Sequence, residues 1–172
     1  MSSHFDLFGL PPAYALDVQA LEQAYHAIQA RVHPDRHAAS GEAERRASLQ
    51  WTTRVNQAFR TLKDPVARAA YLLELHGVDV AFETNTAMPA EFLTRQLELR
   101  EALEQAAGAR DTVSLERLRR ELRAEARALE AALAARIDAE RDYAGAAGLA
   151  RELKFLARLD EEIDTALADA EA

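Results

Sequence analysis

An all-α protein is predicted by three properties of this 172-residue chain: abundant helix formers, scarce helix breakers and apolar residues at helical spacing. Ala, Leu, Glu and Arg dominate, against only 6 Gly and 5 Pro. Hydrophobic residues make up 49% and charged residues 29%, enough for a packed core under a solvated surface. No stretch alternates with the two-residue period of a strand, and there is no internal repeat or low-complexity tract.

The elements follow in order. His4 to Leu10 form a short apolar element closed by Pro11-Pro12. Asp17 is a plausible N-cap, and Val18, Leu21, Tyr25, Ile28 and Val32 then recur at three- and four-residue steps. That helix must stop near Val32, because Pro34 disfavours helical geometry in His33. Residues 36–41 read as a loop, with Ser40 able to cap the next helix. Trp51, Val55, Ala58, Phe59 and Leu62 give that helix its apolar face. Asp64-Pro65 ends it and starts a shorter one, which carries Tyr71, Leu72 and Leu75 and stops at Gly77. Residues 78–88 have no steady period and read as a linker. Three longer helical patterns follow over roughly 89–107, 112–141 and 145–169, broken at Gly108 and around Tyr143 to Gly145. Short loops between amphipathic helices predict an antiparallel three-helix bundle.

Composition narrows the function. Without cysteine there are no disulfides, thiolate metal sites or cysteine nucleophiles. No run approaches the ~20 apolar residues of a membrane span, and Met1-Ser2-Ser3-His4 has no features of a signal peptide, so the cytoplasm is the expected compartment. Net charge is −8, unevenly spread: residues 31–68 hold 8 basic and 4 acidic groups, whereas residues 81–172 hold 13 and 20. A basic segment can bind nucleic acid or an acidic protein face, and the acidic remainder disfavours nucleic acid.

His33-Pro34-Asp35 goes beyond architecture. Alone, the tripeptide is a weak signal, since a surface histidine followed by a turn is common. Its setting is informative: a loop between two helices, flanked by Arg31 and Arg36, with short elements before and after. Pro34 stiffens the loop, Asp35 can accept backbone hydrogen bonds, and His33 is left as a projecting polar contact. His33 with Asp35 suggests an acid–base pair, but a module this small has little room for the pocket and third partner that catalysis needs. His33 and His37 as metal ligands are disfavoured, because Pro34 keeps them off a common helix face.

The arrangement resembles the J domain of the DnaJ co-chaperones. The residues that carry the resemblance are Phe5 to Leu10, Tyr25 to Val32, His33-Pro34-Asp35, Asn56-Gln57-Ala58-Phe59 with Leu62, and Asp64-Pro65 through Arg68-Ala69-Ala70-Tyr71. The resemblance implies that His33, Pro34 and Asp35 dock on a DnaK-type ATPase and trigger ATP hydrolysis, with Arg31 and Arg36 as electrostatic helpers. Where the family carries several lysines on its second helix, Val18 to Val32 offers only Arg31 and His26, which points to a dedicated ATPase.

A helical wheel supplies a second signal. Phe92, Leu99 and Leu103 fall on one line, whereas Leu93 and Leu97 lie about 100–140° from Phe92 and Glu101 about 180°. In the last helix Leu149, Leu156, Ile163 and Leu167 make the core line, and Phe155 lies about 120° off it. Leu93, Leu97 and Phe155 therefore form either an apolar partner surface with an acidic rim or the flank of a broad packing arc.

Nearly the whole chain also resembles the HscB family, the J-proteins of bacterial iron–sulfur cluster biogenesis. The residues in question are Tyr71 to Gly77, Phe92-Leu93 with Gln96 to Glu101, and Arg151 to Leu156. The resemblance implies a J domain at 1–76, a linker at 77–88 and a three-helix bundle at 89–172 that binds the scaffold protein IscU. Its scaffold contacts fall on Leu93, Leu97, Glu98, Glu101 and Phe155, and Thr94 stands where an apolar contact is common. The ATPase partner implied is HscA. The expectation is a co-chaperone rather than an enzyme, with no metal, cofactor, nucleic acid or membrane. The readings set against it are a J-protein serving another client through DnaK, which lacks support from any Gly/Phe-rich or zinc module, and a helical nucleic-acid binder.

Overall fold

The computed structural model describes residues 2–32, 41–82, 84 and 87–172. His33, Pro34, Asp35 and Arg36 lie outside the described residues. Seven α-helices occur among those described: α1 (His4–Leu7), α2 (Val18–Arg31), α3 (Glu42–Lys63), α4 (Pro65–Leu75), α5 (Ala90–Gly108), α6 (Thr112–Ala134) and α7 (Tyr143–Glu171). A π-helical turn, Ala135–Ala139, extends α6. The chain divides into two compact units, Met1–Leu72 and Leu73–Ala172.

Local chemistry sets most boundaries. The Asp17 carboxylate accepts from the amides of Gln19 (3.0 Å) and Ala20 (3.3 Å), so it caps α2. Asp64 does the same for α4, accepting from Val66 at 2.8 Å, with Pro65 in the first helical position. The cap position of α3 is Gly41, which has no side chain to bond, and Ser40 lies outside the described residues. The bundle turns differ from expectation too. Gly108 is still helical, and the left-handed residues that reverse the chain are Arg110 (φ 52°) and Arg141 (φ 56°). Gly145 lies inside the first turn of α7, where a Cβ would come within 2.3 Å of Asp142 Oδ2. That carboxylate caps Gly145 N (3.0 Å) and accepts from Arg136 Nη1 (2.6 Å), tying the π-helical turn to the start of α7. The capped amide and the arginine together hold the Asp142 carboxyl below its ordinary range.

In the first unit α2 and α3 pack antiparallel, as Glu22 faces Lys63 (3.3 Å) while Tyr25 stacks on Phe59 at 3.9 Å. The Tyr25 hydroxyl donates to Asn56 Oδ1 (2.6 Å). Leu21, Val55, Ala58 and Leu62 are buried, with Phe5 from α1. Val18 and Trp51 belong to the predicted stripes but are exposed, at 38% and 39%.

Arg68 is the one buried charged side chain among the described residues. Its Nε donates to Tyr14 O (2.9 Å) and its Nη1 to Leu62 O (2.6 Å), while its guanidinium lies 4.8 Å from the Tyr14 ring centre. The Leu62 carbonyl is among the last four of α3, which have no partner within their own helix. Arg68 thus closes α3 and fixes the segment before α2 at the same time.

In the second unit α5, α6 and α7 form an up-down-up bundle. Arg123 pairs with Asp160 (3.2 Å) and Arg119 with Asp164, so α6 and α7 run antiparallel. Arg95 pairs with Glu125 and Arg100 with Glu162, which places α5 antiparallel to α6 and parallel to α7. The core contains Leu99 and Leu103 of α5, Leu115, Leu118 and Leu122 of α6, and Leu156, Leu159, Ile163 and Leu167 of α7. Ala146 and Ala150 take the α7 core positions expected of Leu149, which is only partly buried. Before the bundle, Val80 is 3% exposed and its carbonyl accepts from Arg151 Nη1 (3.1 Å), so the expected linker is anchored to α7 there.

Candidate functional site

The sequence points to two sites, one in each unit. Of the first, Arg31 is the described member. It is exposed at the C-terminal end of α2, where a cation suits the helix dipole. Near it a groove of about 310 Å³ opens between α2 and α3, lined by Ile28, Val32, Thr52, Val55 and others.

The second site lies on the bundle. Leu93 and Leu97 are 45% and 67% exposed, on a helix whose Leu99 is 1% exposed. Leu93, Leu97 and Glu101 are successive four-residue steps and form one stripe. Glu98 is 60% exposed and pairs loosely with Arg95 at 3.4 Å. Glu101 is exposed, with no ion pair among the described residues. Phe155 differs from the expectation that it points away from the core. It is half-buried, packs against the core from the side, and meets Phe92 edge-on at 5.8 Å. Phe92 in turn is only partly buried, so the core line expected through Phe92, Leu99 and Leu103 begins at Leu99. Thr94 donates its hydroxyl to Ala90 O (3.2 Å).

The structure brings Leu93 and Phe155 together on the wall of one concavity of about 410 Å³. Gln96 joins them from α5, Arg151, Lys154 and Arg158 from α7, and Phe82 and Met88 close one side. Leu97, Glu98 and Glu101 are outside its lining. Lys154 Nζ sits 4.4 Å above the Phe82 ring, a cation–π contact. Glu152, next to Arg151 but outside the lining, has its carboxyl raised above the usual range by burial. The three cations were missed in the sequence because charge was summed over the whole domain. Their spacing, i, i+3 and i+7 with Phe155 at i+4, places them on one helical face.

Among the described residues no group of three or more His, Cys, Asp or Glu could hold a metal, and no helix is long and apolar enough to cross a membrane.

A short helix, an antiparallel helical hairpin and a fourth helix, followed by a three-helix bundle, define a J-protein co-chaperone. Solved structures agree: chaperone HscB from Vibrio cholerae matches 98% of this chain and 99% of its own at TM-score 0.86 and 34% identity. Human co-chaperone HscB matches 96% of the chain and 82% of its own at TM-score 0.89; at 24% identity it supports the fold alone. Residues 88–164 match the model of the HSCB C-terminal oligomerisation domain. A co-chaperone protein HscB homologue of Burkholderia mallei is 52% identical over 161 residues, 94% of this chain and 91% of the relative. An Azoarcus homologue is 49% identical over 164 residues, 95% and 93% of the two chains. The chain belongs to the HscB co-chaperone family.

Proposed function

We propose that this chain binds the iron–sulfur scaffold IscU through its bundle, delivers it to the DnaK-type ATPase HscA and stimulates ATP hydrolysis there. The maturation of iron–sulfur proteins in the cytoplasm is the process served. The observation that carries the scaffold half is the exposure of Leu93 and Leu97 beside a bundle core that is complete without them. The exposed part of each leucine gains nothing for folding, but it leaves water when a partner covers it. Leu93, Leu97 and Phe155 supply the apolar contact, and Glu98 and Glu101 set an acidic edge beside it.

The ATPase half rests on His33, Pro34 and Asp35, with Arg31 and Arg36 beside them. By their residue chemistry these positions suit a polar contact with a partner rather than catalysis. The division of labour is 1–76 for the ATPase, 77–88 as the connection and 89–172 for the scaffold. Holding both partners on one chain raises the effective concentration of scaffold at the ATPase. The chain itself needs no enzymatic step, metal or cofactor for this.

The test is a calorimetric titration with the host's IscU, using the wild type and the Leu93→Ala, Leu97→Ala and Phe155→Ala variants. Binding by the wild type that weakens in the variants is expected. A wild type that does not bind removes the iron–sulfur reading. Separately, His33→Gln should abolish stimulation of the host's HscA while scaffold binding and helicity persist. Full stimulation by that variant refutes the assignment of the loop.

A further inference from the structure

The concavity beside Leu93 carries a charge that the acidic domain around it does not. Residues 81–172 hold 20 acidic and 13 basic groups. Yet every basic residue of α7, namely Arg151, Lys154 and Arg158, lines this one concavity, and its described walls contain no carboxylate. Elsewhere in the bundle, arginines on facing helices pair with acids across the helix interfaces: Arg95 with Glu125, Arg100 with Glu162 and Arg123 with Asp160. Lys154 and Arg158 make no ion pair among the described residues. Arg151 is engaged through one guanidinium nitrogen with the Val80 carbonyl, and its Nε is buried without a hydrogen-bond partner. Three cations gathered this way repel one another, and they gain when an external anion lies among them.

We infer that this concavity receives an acidic, apolar-anchored segment of the protein client. An aliphatic or aromatic side chain of that segment fills the space between Leu93 and Phe155, and its carboxylates meet Lys154 and Arg158. The inference rests on the scaffold-binding reading and adds the chemistry of the partner at this edge. The bundle face is then polar in a directional sense. Its α7 edge attracts acidic groups and its α5 edge, at Glu98 and Glu101, attracts basic ones. Two edges of opposite sign fix the orientation of a partner that apolar contact alone would leave free to turn.

The experiment compares three full-length chains for binding to the host's IscU: wild type, Lys154→Glu with Arg158→Glu, and Lys154→Gln with Arg158→Gln. Arg151 is left intact because it anchors Val80. Circular dichroism checks that each folds. Charge reversal is expected to weaken binding about tenfold and neutralisation about threefold, with both differences shrinking as ionic strength rises. Wild-type affinity in both variants, while Leu93→Ala still weakens binding, overturns the inference and leaves the scaffold reading standing. Tighter binding by the reversed chain also overturns it, since the partner's edge is then basic. Unchanged scaffold affinity together with an altered sedimentation of the chain alone assigns the cations to a second copy instead. No binding by the wild type removes both the inference and the reading beneath it.

Discussion

Leu97 and Leu99 lie two residues apart on α5, and truncating each should give opposite results. Leu99 is 1% exposed inside the bundle core, whereas Leu97 is 67% exposed. Burying a whole leucine side chain contributes roughly 1.5–3 kcal/mol. About two-thirds of that remains to be gained when a partner covers Leu97, or roughly 1–2 kcal/mol. Leu97→Ala should therefore weaken scaffold binding by about 5- to 30-fold. Its stability should hardly change, because little is buried to lose and alanine is the better helix former. Leu99→Ala removes fully buried methyl groups and leaves a cavity, at a cost of about 3–5 kcal/mol. For a unit of this size that lowers Tm by well over ~10 °C. Calorimetric titration against the scaffold and thermal denaturation of each variant read both effects. A Leu97→Ala chain that melts several degrees low, or that binds as the wild type does, refutes the claim that this stripe faces a partner rather than the core.

Arg68→Met keeps an apolar stem but leaves the Tyr14 and Leu62 carbonyls without their donor, so chemical denaturation should show a loss of about 2–5 kcal/mol in the first unit. Phe155→Ala should cost both affinity and some stability, because its ring packs on the core as well as in the concavity; equal melting of this variant and the wild type would place the ring wholly at the surface. Acid should act on two carboxyls with opposite signs. The Asp142 carboxyl is depressed in the folded chain, so its contribution is present above the ordinary aspartate pKa and is lost as pH falls through the lower, folded value. The Glu152 carboxyl is raised by burial, so its ionised form destabilises the fold at neutral pH, and that cost fades as pH drops through the folded value. Asp142→Asn should flatten the acid side of a stability-against-pH curve, and Glu152→Gln should remove the mildly acidic gain.

The J-domain hairpin was legible because its signals are local. Asp17, Asp64-Pro65 and the four-residue spacing from Leu21 through Tyr25 act within one or two turns, and each works in the folded chain without help from a distant residue. The exposure of Leu93 and Leu97 was legible for a related reason: helical geometry fixes their angle to Leu99 whatever packs there. Turns were less legible. Glycine marks where a left-handed residue is cheap, but two arginines, Arg110 and Arg141, take that conformation because the packed helices on either side require the reversal there. Gly145 is needed for a different reason, namely the space that the Asp142 carboxylate occupies.

By itself, then, the sequence determined the helical class, the caps at Asp17 and Asp64, and the stripe of α5 that faces away from the core. Only the tertiary structure decided that Phe155 is shared between core and surface, that Ala146 and Ala150 are buried where Leu149 is not, and that Arg68 closes α3. It also decided that the three cations of α7 share one concavity with Leu93. Helical periodicity is a property of one segment, whereas burial and local potential depend on which other segment arrives alongside. A summed charge of one sign can therefore conceal a site of the other.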